Sequence, residues 1–173
     1  SLKCGKNVKI DINVIIEGNS THTGQSSIFG KGGGIYTDAS SNIVLENVLI
    51  DGNESSVGAG CIFYSSPTLV DVVITNNQAG IIGGGIEFRG SSSAHTSPEL
   101  TNVTISNNYV GTYYGQWGGG ISCQYSDPTL TDVVISGNTV DAGSHSFGGG
   151  GIYFENSEAT LLRVVIIDNV TSY

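Results

Sequence analysis

The sequence has no methionine, one tryptophan, three prolines and only six lysine and arginine residues among its 173 residues. Fifteen acidic residues leave a formal net charge of −9, which disfavours nucleic acid and anionic membrane surfaces as partners. No apolar run approaches the length of a transmembrane helix. Glycine, by contrast, is abundant at 26 residues and alternates with short Val and Ile runs, which favours an ordered β-rich chain over disorder.

The three cysteines, Cys4, Cys61 and Cys123, form an odd set without CxxC spacing. This pattern predicts neither a zinc site nor a disulfide framework. One pair could form a disulfide in an oxidising compartment, and the spacing does not choose between the pairs. We expect the cysteines to be small core or turn residues, with Cys61 in the place of a third glycine.

Two short phrases repeat along the chain. The pattern V-x-I-x-x-N ends at six asparagines: Asn19, Asn53, Asn77, Asn108, Asn138 and Asn169. Between them stand the phrases "GGGIYT", "AGCIFY", "GGGIEF", "GGGISC" and "GGGIYF". Each repeat therefore holds two short strand signals and no amphipathic helix, and such units bury a continuous core only when they stack.

The repeat predicts an all-β fold, a single-stranded right-handed parallel β-helix of about six coils with an asparagine ladder. We expect one domain over residues 1–173, with an N-terminal coil or cap at 1–31 and regular coils at 32–173. The chain is either a whole β-helix or a segment of a longer one. The glycines are expected to form the tight corner at which each coil begins.

Side-chain alternation assigns the interior columns. We expect the Val and Ile of each V-x-I phrase to point inward, together with a Leu three residues before the Val and the Ile of each glycine phrase (Ile35, Ile62, Ile86, Ile121 and Ile152). The predicted bend residues between Leu and Val are Asn13, Asn47, Asp71, Asn102, Asp132 and Arg163. The six repeated asparagines are interpreted as stacked amides. Glycosylation is the alternative at the N-x-S/T sites Asn19, Asn53, Asn102 and Asn169.

The alternating glycine and asparagine phrases over residues 32–169 resemble the right-handed β-helix repeats of bacterial surface proteins, including the GGA[I/L/V] and FxxN repeats of chlamydial polymorphic outer-membrane proteins. They are also similar to the repeats of pectate-lyase-type enzymes. The resemblance implies the fold. For function it implies several classes, since β-helices serve as enzymes, adhesins, tailspikes and fibres.

Enzymes of the pectate-lyase type carry acidic residues, often with Ca²⁺ and a basic residue, on one outward sheet. The corresponding face here offers Glu87 and Arg89 as the only acid and base pair, which we interpret first as a surface ion pair. It lacks the clustered aspartates that Ca²⁺ requires, so we expect no cofactor, with Ca²⁺ as a weakly supported alternative. Outward or loop aromatics beside the same strands are candidate sugar contacts or loop-packing residues: Tyr36, Phe63, Tyr113, Tyr114, Trp117 and Tyr153. His22, His95 and His145 lie in polar loops and are expected to be solvated.

The residue between Val and Ile in the repeat should face outward, and it is apolar in five of six copies: Ile15, Leu49, Val73, Val134 and Val165. Such a strip is a candidate association surface, and cover by a loop or a flanking domain is the alternative. A basic N-terminal segment and an acidic remainder also favour end-to-end stacking. Threonines on the neighbouring stretch suggest an ice-binding face, but their spacing is irregular.

We therefore expect a non-catalytic structural β-helix, extracellular or at the cell surface, that acts as a fibre subunit or adhesin module. The alternative is a β-helix that binds or cleaves polysaccharide through the face around Tyr36, Phe63, Glu87, Arg89 and Tyr153. No insertion into a membrane is expected. Glycans and further copies of the chain are the expected partners.

Overall fold

The computed structural model of the chain describes residues 2–4, 6–21, 30–111, 117–141 and 148–172, except for the side chain of Ile12. Every regular element in these ranges is a β-strand, and most strands are three or four residues long. None of the described residues belongs to a helix that could cross a membrane.

The strands form three parallel sheets. Sheet 1 contains β1 (Leu2–Cys4), β3 (Ile35–Thr37), β6 (Cys61–Phe63), β10 (Ile86–Arg89), β14 (Ile121–Gln124) and β18 (Ile152–Glu155). Sheet 2 contains β2 (Val8–Glu17), β4 (Ile43–Asp51), β7 (Thr68–Val70), β8 (Val73–Thr75), β11 (Glu99–Thr101), β12 (Thr104–Ser106), β15 (Thr129–Thr131), β16 (Val134–Ser136), β19 (Thr160–Leu162) and β20 (Val165–Ile167). Sheet 3 contains β5 (Glu54–Val57), β9 (Gln78–Ile82), β13 (Tyr109–Gly111), β17 (Thr139–Asp141) and β21 (Val170–Ser172).

One turn of the chain, which we call a coil, passes through the three sheets in this order. Each strand pairs in parallel with the equivalent strand of the next coil, as β10 pairs with both β6 and β14. This is the connectivity of a β-solenoid, and it confirms the fold that the repeats predict.

Sheet 2 bends sharply at one residue in each coil. The six predicted bend residues all have left-handed backbone conformations, with φ between 53° and 55°. Asn and Asp tolerate this conformation because their short side chains can hydrogen-bond locally. Arg163 is the exception, and its guanidinium pairs with Asp132 one coil earlier, with Nε and Oδ1 2.6 Å apart.

The predicted interior columns of sheet 2 are confirmed. In the middle coils the following residues are buried: Leu45, Val48, Ile50, Leu69, Val72, Ile74, Leu100, Val103, Ile105, Leu130, Val133 and Ile135. They belong to one continuous apolar cluster with the inward side chains of sheet 1. Leu161 and Ile166 occupy the same columns in the last described coil, where their side chains are exposed.

The asparagine ladder runs through all six predicted positions. The first five side-chain amides each donate to the Oδ1 of the asparagine in the next coil, as Asn53 Nδ2 does to Asn77 Oδ1 at 3.0 Å. The same Oδ1 accepts from the backbone N–H of the preceding asparagine, and Asn77 Nδ2 also donates back to the Ile50 carbonyl at 3.1 Å. The last amide, Asn169 Nδ2, donates to the backbone carbonyls of Ile135 and Ile167. The left-handed residue of this turn is the one just before each ladder asparagine: Gly18, Gly52, Asn76, Asn107, Gly137 and Asp168.

The glycine phrases build the corner that leads into sheet 1. Gly32 has φ +59°, a conformation that favours glycine. A Cβ on Gly34 would lie 2.5 Å from the Gly60 carbonyl oxygen and 3.1 Å from Asn53 Nδ2. The third glycine therefore leaves room for the ladder, and the predicted role of the glycines in the fold is confirmed.

The interior assignment is wrong in one coil. Cys61 pairs with Ile35, and Phe63 pairs with Thr37, so these two residues face inward and Ile62 faces outward. The glycine phrase of this coil is Gly58-Ala59-Gly60, one residue earlier than the predicted alignment, and Cys61 thus replaces an Ile rather than a glycine. A shift of one residue moves every side chain of a strand to the opposite face.

This shift places Phe63 in the core. Its ring is buried and stacks on Phe88, with centroids 5.7 Å apart. Phe63 is therefore excluded as a sugar-contacting residue. Cys4, Cys61 and Cys123 are all free and buried, and burial raises the pKa of the Cys4 and Cys61 thiols.

The ladder predicts a large stability loss for Asn77→Ala. The substitution removes five hydrogen bonds and leaves buried backbone groups without partners. We expect the free energy of unfolding to fall by about 3 kcal/mol or more, measured by urea denaturation. Asn76→Gly is the control, because Asn76 is exposed with φ 55° and glycine adopts this conformation readily, so its cost should stay below about 1 kcal/mol. Equal losses in the two variants would contradict this role of the ladder.

Candidate functional site

The outward face of sheet 1, where the sequence places candidate ligand contacts, is covered in its middle coils. Its central column consists of Lys3, Tyr36, Ile62, Glu87, Ser122 and Tyr153. Ile62, Glu87 and Ser122 are buried, whereas Tyr36 and Tyr153 are partly exposed. This face is not the open, flat platform that a bound polysaccharide chain would need.

The cover comes from the residues just before the glycine phrases. Val57, Ile82 and Trp117 pair with one another from coil to coil, and Val57 and Ile82 cluster with the buried Ile62. The chain then turns back at a glycine, and a Cβ on Gly83 would lie 3.0 Å from the Cβ of Glu87. The left-handed turn therefore directs the entering chain across the outward side chains.

The aromatic candidates on this face pack against protein. Trp117 stacks on Tyr153 with ring centroids 5.5 Å apart and planes 11° apart. Tyr36 contacts Tyr64 with centroids 5.9 Å apart. The contacts of Trp117 favour the loop-packing interpretation of its ring. Tyr113 and Tyr114 lie outside the described residues, as do His22 and His145.

Glu87 and Arg89 do form an ion pair, but its acid is not at the surface. Arg89 Nη2 lies 2.6 Å from Glu87 Oε1, and the Glu87 side chain is 1% exposed. Neither carboxylate oxygen has a well-aligned hydrogen bond to the described residues, so the contact is ionic. Burial raises the pKa of Glu87 to about 7, and the nearby charges of Arg89 and Lys31 oppose this rise.

A carboxylic acid with a raised pKa is suited to general acid catalysis, provided that it reaches a substrate. Glu87 has no such access, and its column contains no second carboxylate. Glu155 lies two coils away in the next outward column, where it accepts a hydrogen bond from Gln124 at 2.7 Å. Across the described ranges no cluster of His, Cys, Asp and Glu could hold a metal ion.

A depression of about 470 Å³ lies beside this face, at the corner between sheet 1 and sheet 2. Its wall is a small hairpin closed by two hydrogen bonds between the backbones of Ser91 and Ala94. Gly90 allows the hairpin to fold back, since a Cβ there would lie 2.8 Å from the Ala94 carbonyl oxygen and would also clash with the Tyr125 carbonyl oxygen of the next coil. Arg89, Tyr64 and His95 line the depression, together with small polar residues.

Sequence reasoning missed this site, although the repeat contains a signal for it. Four corners carry a proline or alanine before the Leu strand, in the phrases "SSPTL", "TSPEL", "SDPTL" and "SEATL". Pro98 follows Phe88 by ten residues, whereas Pro128 follows the equivalent Cys123 by five. The difference is an insertion in one coil, and insertions in solenoids often mark a binding face.

His95 is held at the rim of the depression. Its Nδ1 lies 3.0 Å from Asp127 Oδ2, and its ring contacts Tyr125 edge-on at 5.7 Å. Asp127 also accepts a hydrogen bond from the backbone N–H of Glu158 at 2.8 Å, and these contacts lower the pKa of Asp127. The histidine is exposed, as the sequence predicts, but it is fixed by a partner.

The predicted apolar strip lies open on the outward face of sheet 2. The exposed fractions are 59% for Ile15, 40% for Val73, 37% for Val134 and 49% for Val165. Leu49 is partly exposed, and it lines a shallow groove of about 370 Å³ with Ile15 and Val73. At these positions the described residues provide no covering loop comparable to that of sheet 1.

Burial of Glu87 predicts a specific pH dependence. A carboxyl whose folded pKa is raised retains its proton in the folded state, so it costs no stability at low pH and an increasing amount as pH rises from about 4.5 to about 7. Relative to Glu87→Gln, the wild-type chain should lose about 3 kcal/mol of unfolding free energy over this range. Urea denaturation at pH 5 and pH 8 measures the difference. Glu155→Gln controls for the loss of one negative charge, and the same pH response in both variants would contradict the prediction.

Comparison with known proteins addresses the family of the chain. A family model described as a right-handed β-helix region matches residues 1–127. No significant match was found among the curated proteins or among the solved structures. The match covers well over half of the chain, and the parallel pairing continues in register beyond it to β21. The chain therefore belongs to the right-handed β-helix family.

Proposed function

We propose that this chain is a non-catalytic structural β-helix, extracellular or at the cell surface, which acts as a fibre subunit or adhesin module. The observation that carries the proposal is the open apolar strip on sheet 2. Apolar side chains occupy this exposed position in five of the six coils, with Thr104 between Val73 and Val134 as the exception. Exposed apolar strips of this length are unusual on soluble monomers and mark interaction surfaces. The similarity to repeats of bacterial surface proteins is consistent with this assignment.

We propose a second copy of the same chain as the occupant of the strip. Successive side chains of the strip are separated by the spacing of the parallel strands, about 4.8 Å per coil, and the strip of a second copy has the same spacing. Every coil of one strip can therefore meet a coil of the other, a match that a partner without the repeat does not offer. The strip itself contains no charged residue, so its burial separates no ion from water.

Most residues of the face predicted for polysaccharide binding are unavailable to a ligand. Phe63 lies in the core, Glu87 is buried, and Trp117 and Tyr153 stack on each other. A cleavage mechanism would need an acid that reaches the glycosidic bond and a second carboxylate at a defined distance. The geometry around Glu87 supports neither requirement, and we therefore favour the structural role.

Self-association through the strip predicts that Val73→Lys combined with Val134→Lys yields a monomer. Two lysines on the strip would have to be desolvated in the interface. The matched control is Thr68→Lys with Thr129→Lys, which adds the same charge in the same two coils on an outward column of sheet 2 that lies before the bend and outside the strip. Sedimentation equilibrium over a range of concentrations should show association for the wild type and the control and not for the strip variant.

Salt provides a second test of the same contact. Each copy carries a formal net charge of −9, so like charges oppose association and added salt screens them. Association should strengthen as the salt concentration rises. A wild-type chain that is monomeric at every concentration and salt level would overturn the proposal. Electron microscopy of associated samples distinguishes side-by-side pairs from end-to-end stacks, the other arrangement that we consider.

A further inference from the structure

We propose that the depression at the corner between sheets 1 and 2 binds an uncharged sugar residue of a glycan. The proposal is independent of self-association, since the depression and the apolar strip lie on different faces. It also differs from the face that the sequence indicates, because Arg89 is the one residue of that face that lines the depression, whereas Tyr36, Phe63, Glu87 and Tyr153 do not.

Three large side chains of the depression are held in place by partners outside it. Lys31 Nζ donates to the Tyr64 hydroxyl at 2.8 Å, and Glu87 holds Arg89. Asp127 and Tyr125 hold His95. None of these partners lines the depression itself. A site whose side chains are already ordered loses less entropy on binding, which is a feature of binding sites rather than of ordinary surface.

The exposed polar groups of the remaining lining both donate and accept hydrogen bonds. They belong to Asn42, Ser66 and Ser91, whereas the hydroxyls of the buried residues Ser41, Ser65 and Thr96 bond to other protein groups. Sugar hydroxyls are donors and acceptors in the same way, and an aromatic ring can pack against the apolar face of a pyranose. Tyr64 is partly exposed and supplies such a ring. A volume of about 470 Å³ falls within the usual range for small-molecule sites.

The charges favour a neutral ligand over an ion. Arg89 contacts Glu87, and His95 contacts Asp127, so each ionisable group at the depression that can carry positive charge faces a carboxylate. An anion would have to compete with these carboxylates for Arg89 and His95, and a cation would be repelled by the Arg89 guanidinium. A polyhydroxy ligand can use the outward N–H groups of Arg89 without breaking the pair with Glu87.

The hairpin is inserted in a single coil, which indicates that it was selected for a role other than stacking. Stacking requires only a short corner, as the neighbouring coils show, and the hairpin at residues 91–94 adds little to the core because its residues are exposed. Its effect is to raise a wall beside Arg89. Loops that a rigid scaffold positions are common carriers of binding residues.

Saturation-transfer NMR with a panel of soluble oligosaccharides tests the proposal. The panel contains neutral oligomers of glucose, xylose, galactose, mannose and N-acetylglucosamine, with oligogalacturonate as the charged member. At least one neutral oligomer should bind, and isothermal titration should show affinity lowered at least about tenfold in Tyr64→Leu. His95→Gln should weaken the same binding.

Two matched variants keep the test informative. Tyr64→Phe retains the ring and should retain most of the affinity, whereas Tyr153→Leu removes a partly exposed tyrosine outside the depression and should leave binding unchanged. Urea denaturation identifies any variant that fails to fold. The proposal is overturned if no neutral oligomer binds, if only oligogalacturonate binds, or if folded Tyr64→Leu binds as the wild type does.

Discussion

The asparagine ladder is the interaction on which the rest of the solenoid depends. Each ladder amide uses its donors and its acceptor on the coils above and below, so the coils can stack only in one register. Gly34 completes this arrangement, because any side chain there would meet Asn53 Nδ2 and the adjoining glycine backbone. The repeated asparagines therefore pack against the repeated glycines, which explains why the two phrases alternate along the chain.

The two outward sheet faces of this scaffold differ in cover. On sheet 1, left-handed glycines such as Gly83 turn the entering chain back across the strands, and Ile62 becomes buried on what would otherwise be the outer surface. On sheet 2, Asn47 and its counterparts bend the strand without adding any residue, so Ile15 and Val73 remain exposed. The left-handed conformation thus has two effects: on sheet 1 it turns the chain back to cover the outward face, and on sheet 2 it bends the strand and leaves the outward face open.

The sequence predicts those features that repeat and misses those that occur once. The ladder, the bends and the interior of sheet 2 follow from strict periodicity, because each copy supports the alignment of the others. The sequence places Phe63 on the wrong face because "GAGCIF" and "AGCIFY" align almost equally well to the glycine phrase, and a shift of one residue moves its side chain to the opposite face. The burial of Glu87 could not be predicted, since it depends on a crossing backbone rather than on alternation. The depression depends on an insertion that has no counterpart in other coils.

Two of these departures lie in one coil, which contains Glu87, Arg89 and the inserted hairpin before His95. In a repeat protein the stability is approximately a sum of similar coil-to-coil contacts, and any coil could use the common pattern. A buried carboxylate and an added hairpin instead cost free energy that stacking does not require. A coil that departs from the common repeat pattern without improving the packing is expected where the protein has a functional site. The Glu87 carboxylate holds Arg89 at the edge of the depression, and this contact links the two departures into one structural unit.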